Sequence, residues 1–497
     1  MPQPDAHEHG FAVPSAAPDG GRVSVNDHHS QLNGTLVQGV ERPHSVEDLR
    51  RLMRRAEAAH QTLCIAGARH AMGGQQFAAG ALLVDMTAMD RVLAFDRDKG
   101  HVEVEAGICW PALLDWLAHE QRNRWPQWGI RQKQTGADLL TIGGTLSANA
   151  HGRGLALKPF IDDVESFNLL GADGQIRVCD REQNSELFCL AIGGYGLFGI
   201  VTTVTLRLMR RTKMQRLVSV VDLAELLPNL EERVADGCLY GDFQFAIDPL
   251  SEDFLNRGVF SCYQPVHENT IMPEGQKELH GEDWLNLLYL AHQQKSRAFE
   301  EYSRYYLSTH GQHYWSDTHQ LSEYLIDYHR QLDARLGSGG CGTEMITELY
   351  VPKHRLVSFM DIVRKDLRSA GSNVIYGTIR FIERDEESFL PWARQPYACI
   401  IFNLHTAHTP EALEKTAADF RRLIDRAIEH GGSYYLTYHR WASRRQVQAC
   451  YPKFAQFLAR KRHYDPGERF QSDWYRHYKA LFEGDYPQYN SEDMRAR

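Results

Sequence analysis

Thr141-Ile142-Gly143-Gly144-Thr145-Leu146-Ser147-Ala148-Asn149-Ala150-His151-Gly152 packs three glycines and two alanines into its last ten positions. Side chains this small let backbone N–H groups come close to a bulky anion, which is how peptide loops hold a diphosphate without cations. Two further clusters flank it, Gly67-Ala68-Arg69-His70-Ala71-Met72-Gly73-Gly74 upstream and Gly193-Gly194-Tyr195-Gly196-Leu197-Phe198-Gly199 downstream. One such cluster reads as a tight turn. Three in one unit point to a bound ligand.

Periodicity supplies the elements between them. Ser45 and Asp48 make a capping box before a helix over 46–60, where Leu49, Leu52, Met53 and Ala56 share one face. Thr62 to Ala66 and Ala81 to Met86 read as short buried strands, and Val92 to Phe95 with Val102 to Glu105 as a hairpin around Asp98-Lys99-Gly100. Pro111 opens a helix that buries Leu113, Leu114 and Leu117. A second hairpin spans 163–179, followed by a helix over 185–192 and a β-branched strand over 200–208. That order decides Gly194 to Gly199. G-x-G-x-x-G binds a dinucleotide when a strand precedes it and a helix follows; here the order is reversed, so the segment is a turn.

From Lys213 the texture changes. Phe243, Phe245 and Ile247 alternate as a half-buried strand, as do the residues of 347–351. A strand over 398–404 leads to a helix capped by Thr409, with Pro410 in its first turn. The expected class is α+β. The expected layout is a flexible tail over 1–36, a first domain over 37–212, a second over 213–434 with a Tyr- and His-rich helical insertion at about 263–335, and a segment over 435–497 that returns to the first domain.

Length and composition agree. The 497 residues make two to four domains at about 150 residues each. A net charge of −9 disfavours nucleic acid, and no run reaches the ~18–20 apolar residues of a membrane helix. Nine scattered cysteines without a CxxC pair suggest neither a disulfide framework nor a metal site, and cytoplasm is the expected compartment.

Ala66-Gly67-Ala68-Arg69-His70, Ile142-Gly143-Gly144-Thr145 with Ala150-His151-Gly152, and Gly193 to Ile200 occur in an order that resembles the vanillyl-alcohol oxidase / p-cresol methylhydroxylase family of FAD-linked oxidoreductases. The resemblance is strong over about 37–210. It is fainter at Glu348 to Pro352, Gly431 to Tyr438, Cys450-Tyr451-Pro452 and Tyr464 to Phe470, which are similar to aldonolactone and alditol oxidases and decaprenylphosphoryl-ribose oxidase. It implies a PCMH-type FAD-binding domain of two subdomains and an α+β substrate (cap) domain over the flavin.

On that resemblance, Ala66, Gly67, Ala68, Arg69, His70, Ala71, Gly143, Gly144, Ser147, Ala150, His151 and Gly152 surround the pyrophosphate and flavin. Ile200 lies near the adenine and Tyr435 near the ring. His70 takes the place of the histidine that bonds to the flavin in some members. His151 either meets substrate or flavin or is a satisfied core histidine. Ala150, where a larger residue hinders oxygen, tilts towards a dehydrogenase, and the electron acceptor (oxygen or another) stays open.

The implied activity is oxidation of a CH–OH group in a polar, carbohydrate-like alcohol (alditol, sugar or lactone) by hydride transfer to flavin N5. The chain departs from its sugar-oxidising relatives in two places. Thr378-Ile379-Arg380 keeps an arginine without the usual carboxylate, and Tyr438 replaces a lysine. Positive charge is then expected from Arg380 or Arg440, and the base from Tyr438, His439 or Glu348. Spaced three apart on a strand, Tyr435 and Tyr438 would face opposite sides, so at most one would line the pocket. The alternative is a catalytically degenerate protein that binds flavin or another ligand on the same scaffold.

Overall fold

The computed structural model describes residues 21–273, 275–322 and 328–484. Met1 to Gly20, the first part of the expected tail, lies outside them. The rest of that tail is ordered: strands Val23–Val25 and Thr35–Val37 pair antiparallel. Asp27 Oδ1 accepts the backbone N–H groups of His29 and Ser30 at 3.0 and 2.5 Å, and Asn33 Nδ2 donates to the Met72 carbonyl at 2.7 Å. Strands of three residues are too short for a period-two pattern. The segment is instead fixed by buried polar groups that satisfy one another.

Strands Gly39–Glu41, Leu82–Asp85 and Leu63–Ala66 form a parallel sheet in that spatial order. Helix Val46–Ala58 connects the first to the last and buries Leu49, Leu52, Met53 and Ala56. A five-stranded antiparallel sheet lies beside it, in the order Ile176–Cys179, Val164–Leu170, Ile200–Arg207, His101–Glu105, Val92–Asp96.

The second half is built on an eight-stranded antiparallel sheet. Its central strands are Arg257–Pro265, Tyr240–Phe245, Val374–Ile382, Tyr397–Ala407 and Gly342–Pro352. The last is buried almost throughout rather than on alternate residues, because both faces are covered. Helices Leu356–Ala370 and Pro410–Glu429 cover one. The other roofs a cavity, and period two selects its lining: Tyr376, Thr378 and Arg380 from one strand, Ile401 and Asn403 from the next, Glu344 and Ile346 from a third. The helical insertion begins beyond residue 263, which lies in a core strand, and contains helices Gly281–Gln293, Lys295–Ser308 and Tyr328–Leu336.

After Ser433–Tyr434, the sheet's last strand, the chain crosses to the first half. Leu63 N–H donates to the Arg469 carbonyl at 2.8 Å, and Gln471 N–H to the Leu63 carbonyl at 2.7 Å. Helix Asp473–Leu481, capped by Ser472, buries Trp474, Tyr475 and Tyr478. Its Asp473 and Trp474 N–H groups reach the carbonyls of Phe77 and Gly74, so it docks on the loop after Gly73. No helix among the described residues is long and apolar enough to cross a membrane.

Candidate active site

A cavity of about 890 Å³ lies between the two halves and is lined from both. That is near the upper end of the ~300–1,000 Å³ of small-molecule sites.

At one end the walls are nearly all backbone and small side chains: Gly67, Ala68, Ala71, Gly143, Gly144, Ser147 and Ala150. The 142–148 stretch is a helix, where the sequence suggested a loop; Thr141 caps it by accepting the Gly144 N–H at 3.1 Å. Two glycines are needed for contact. A Cβ on Gly67 would meet Thr141 Oγ1 at 2.2 Å, and one on Gly143 would meet Ala106 at 3.0 Å. The N–H groups of Gly143 and Gly144 are already spent on the Ala106 carbonyl and Thr141. This helix therefore offers close approach, while in the 67–71 loop the N–H groups of Ala68, Arg69 and Ala71 make no bond to the described residues. Arg69 sits at φ +58°, held by an ion pair with Asp85 at 3.3 Å.

His70 lines this end at 9% exposure, with its Nδ1 2.8 Å from His29 Nε2. Burial first, then His29 and His28, hold its pKa well below the usual histidine value. It is a neutral imidazole.

Gly194 to Gly199 is the turn its order required, between helix Ser185–Ala191 and strand Ile200–Arg207. A Cβ on Gly194 would lie 2.1 Å from the Leu190 carbonyl oxygen. Gly199 and Val201 line the cavity, and Ile200 between them points into the core. That alternation turns the Ile200 side chain away from the cavity. Ala66 also faces a core, and Gly152 is packed where a Cβ would come within 2.7 Å of the Lys133 carbonyl.

His151 is a core histidine rather than a wall residue. It is 1% exposed, with Nδ1 3.0 Å from the Gly152 carbonyl and Nε2 2.5 Å from Glu348 Oε1. Glu348 lies with it behind the wall. His439 is also removed from the wall, 2% exposed among Phe420, Tyr434 and Trp441, and burial takes its pKa down to about 3. Arg440 packs on Gly74 with Asn33 Oδ1 at 3.5 Å.

Arg380, Tyr435 and Tyr438 do reach the cavity. Both tyrosines line it because the strand ends at Tyr434 and the chain then turns, so strand alternation does not apply. Tyr435 donates to the Ala148 carbonyl at 2.7 Å, and Tyr438 accepts from Gln134 Nε2 at 2.9 Å. Burial and the Glu348 carboxylate push the Tyr438 pKa well up, so it is a phenol at neutral pH. Arg380 is 5% exposed, and its Nε and Nη1 have no hydrogen-bond partner among the described residues.

The far end of the cavity holds residues that the sequence reading did not single out. Arg216 is buried under Tyr263, Tyr306 and Tyr314. It donates to the Tyr263 hydroxyl at 2.7 and 3.0 Å and to Thr309 Oγ1 at 3.0 Å, but to no carboxylate among the described residues. Arg153 donates to the His319 carbonyl, and among the described residues its nearest carboxylate, Asp242, is 3.9 Å away. His319 lies between them at 4% exposure. Burial, then Arg153 and Arg216, take its pKa well below the usual value, with the Trp315 and Ser316 carbonyls pulling weakly the other way. Neither of its ring nitrogens is in hydrogen-bonding geometry with a described residue. One signal was present in the sequence: Arg216 occupies an inward position of the alternating strand Lys213–Asp222, between Met214 and Val218.

A large cavity with a small-residue loop at one end and a second domain as roof defines a cofactor-dependent enzyme fold. Residues 37–180 match the FAD binding domain family. Over 168 residues the chain is 31% identical to cytokinin dehydrogenase 2 of Arabidopsis thaliana, covering 33% of this chain and 32% of that one. It is 29% identical to L-gulonolactone oxidase of Bos taurus over 193 residues (39% and 42%), and 34% identical to the mitochondrial L-galactono-1,4-lactone dehydrogenase of Arabidopsis thaliana over 148 (30% and 23%). The match thus spans less than half the length of each of these three. In these matches the chain is similar to the vanillyl-alcohol oxidase / p-cresol methylhydroxylase family of FAD-linked oxidoreductases, and its cofactor is FAD. The residues fit that group: the 67–71 loop presents N–H groups for a diphosphate, and Arg380 has buried donors unspent.

Proposed function

We propose that the protein oxidises a CH–OH group of a polar small molecule that also carries an anionic group, with FAD as hydride acceptor. The observation that carries the reading is one continuous cavity, running from the small-residue loops of the FAD-binding domain to a chamber whose buried Arg216 has no carboxylate partner among the described residues. A buried charge is normally paired, so the chamber is built for an anion supplied from outside. A substrate carboxylate would take Arg216, Arg153 and the neutral His319 as donors, and its hydroxyls the tyrosine wall. A hydroxylated carboxylic acid of carbohydrate type meets all of these.

Bound FAD supplies a two-electron acceptor for the hydride that leaves the substrate carbon. Arg380 supplies fixed positive charge where negative charge develops. Tyr438 takes the substrate hydroxyl proton on its oxygen while passing its own to Glu348, so that one proton and one hydride leave and a carbonyl remains. His70, neutral because it is buried, is the residue placed to attach the flavin covalently.

Anaerobic bleaching of the yellow protein tests this, with matched pairs of aldonates and aldonolactones beside alditols and sugars. Aldonates are expected to reduce the flavin and their neutral partners far more slowly. Failure of every CH–OH donor would leave the degenerate binding scaffold as the better reading.

A further inference from the structure

The helical insertion does not close fully onto the sheet it covers. Trp284, Leu287, Leu288 and Ala291 recur at the i, i+3, i+4, i+7 spacing of one face of helix Gly281–Gln293. Ala298, Phe299 and Tyr302 share a face of helix Lys295–Ser308. Together with strands Tyr240–Phe245 and Val374–Ile382, both faces line a pocket of about 240 Å³. Phe245, Ile247 and Ile375 complete its apolar wall. Ile375 reaches it because a register shift between Val374 and Tyr376 makes it an extra residue, outside the alternation of its strand. Leu287, Leu288 and Phe299 are left only half-buried.

The pocket opens into the main cavity, and Gln244, Trp284, Tyr302 and Tyr376 line both. Tyr302 lies against Tyr306 with ring centroids 4.3 Å apart, and Tyr306 covers Arg216. The mouth therefore stands beside the anion chamber. It is set back from Arg380, since Tyr376 precedes that residue by four positions on one strand, about 13 Å at ~3.3 Å per residue. Glu344, the acidic group among its described lining residues, already has partners. Tyr328 donates to its Oε2 at 2.5 Å, and ring nitrogens of His292 and His405 lie 3.2 and 3.1 Å from its Oε1.

We infer that this side pocket takes an apolar arm of the substrate, an alkyl or aryl group joined to the hydroxylated acid. The preferred substrate class is then an acid that bears an aglycone rather than a bare one. The acid and its CH–OH group rest on the reading above; the arm rests on the pocket. Protein interiors leave few voids larger than a water molecule, and an apolar cavity of ~150 Å³ stays dry and takes up benzene. A larger space walled by Leu, Ile and Phe matches a hydrocarbon chain or a ring, whereas a sugar placed there would leave its hydroxyls unpaired.

The test is calorimetric titration of the flavoprotein with β-glucuronides carrying methyl, butyl, hexyl and phenyl aglycones, and with the glucosides of the same aglycones. Affinity should rise about fourfold for each of the first few methylenes, with a heat-capacity change that grows more negative along the series. Ala298→Leu and Ala291→Leu fill the pocket from its two helices, and each should remove most of that gain. A flat series, no binding of the hexyl and phenyl compounds, or a gain undiminished in the filled variants overturns the proposal. The glucosides and the flavin colour keep it apart from the reading it rests on. An aglycone gain without preference for the glucuronides would remove the anion chamber and keep the pocket, and the same gain without anaerobic bleaching would remove the oxidation and keep the pocket.

Discussion

The two ends of the cavity are made of different material. Backbone and the smallest side chains form the FAD end, where Gly67 and Gly143 pass so close to Thr141 and Ala106 that a methyl group would collide. At the substrate end, large side chains converge: Arg153, Arg216 and Arg380, with His319 and a wall of tyrosines, from strands and turns far apart in sequence. A cofactor shared across a family is met by main chain, whose geometry survives substitution elsewhere. A substrate is met by side chains, which can change one at a time. The contrast can be broken from either end.

The largest effect is expected from Arg380→Met. Removing a preorganised donor from a developing negative charge typically costs 10²–10³ in rate, so anaerobic flavin reduction should slow by about that factor while the flavin stays bound. A change below about threefold would place the needed charge elsewhere. Arg216→Leu comes next. Breaking a buried charge contact costs roughly 2–5 kcal/mol, so KM for an anionic substrate should rise about 30-fold or more, with little change for its neutral analogue. Equal losses for both would mean that Arg216 only supports the fold.

At the other end, Gly67→Ala probes the main-chain contact. With a Cβ 2.2 Å from Thr141 Oγ1, the loop or the helix cap must shift, an overpacking cost of about 1–3 kcal/mol. Lower Tm and faster FAD loss should appear together, and Thr141→Ser, which removes one methyl, should not rescue them because the hydroxyl is the colliding atom. Gly80→Ala is a contrasting control: its φ is +73° but nothing lies within 4 Å, so it should cost backbone strain alone.

The same difference in material explains what the sequence revealed. Small-residue runs are contiguous, so Gly67 to Ala71 and Gly143 to Ala150 could be assigned to a ligand from local composition. The Gly194 to Gly199 turn could be separated from a dinucleotide fingerprint by element order. Arg153, Arg216 and His319 meet only through tertiary folding, and no local pattern joins them. Glu348, His439 and Arg440 were drawn in through proximity to motifs, yet Glu348, on the cavity side of its strand, is covered by His151, and the turn after Tyr434 puts His439 and Arg440 behind the wall. Residues 21–36 were missed because their order comes from Asp27, Ser30 and Asn33 bonding one another, not from apolar periodicity.

His439 gives the smallest effect and separates core from site most directly. Trp441 N–H points at its Nδ1 at 3.4 Å, and its Nε2 lies 3.3 Å from Thr347 Oγ1, so the neutral ring suits its surroundings and a second proton does not. Its folded pKa of about 3 lies below the ~6.5 of an unfolded histidine. Between those values the unfolded chain binds the extra proton, so the stability it contributes is present above about pH 6.5 and is lost as pH falls towards 3. His29, also at about 3, acts in the same direction. His439→Gln should therefore lower Tm at pH 8 and flatten its fall between pH 6.5 and 4, leaving the part due to His29, His70 and His319. Because His439 lies behind the wall, flavin reduction at pH 8 should stay within about twofold. A loss of turnover with an altered pH–rate profile would instead return His439 to the substrate end.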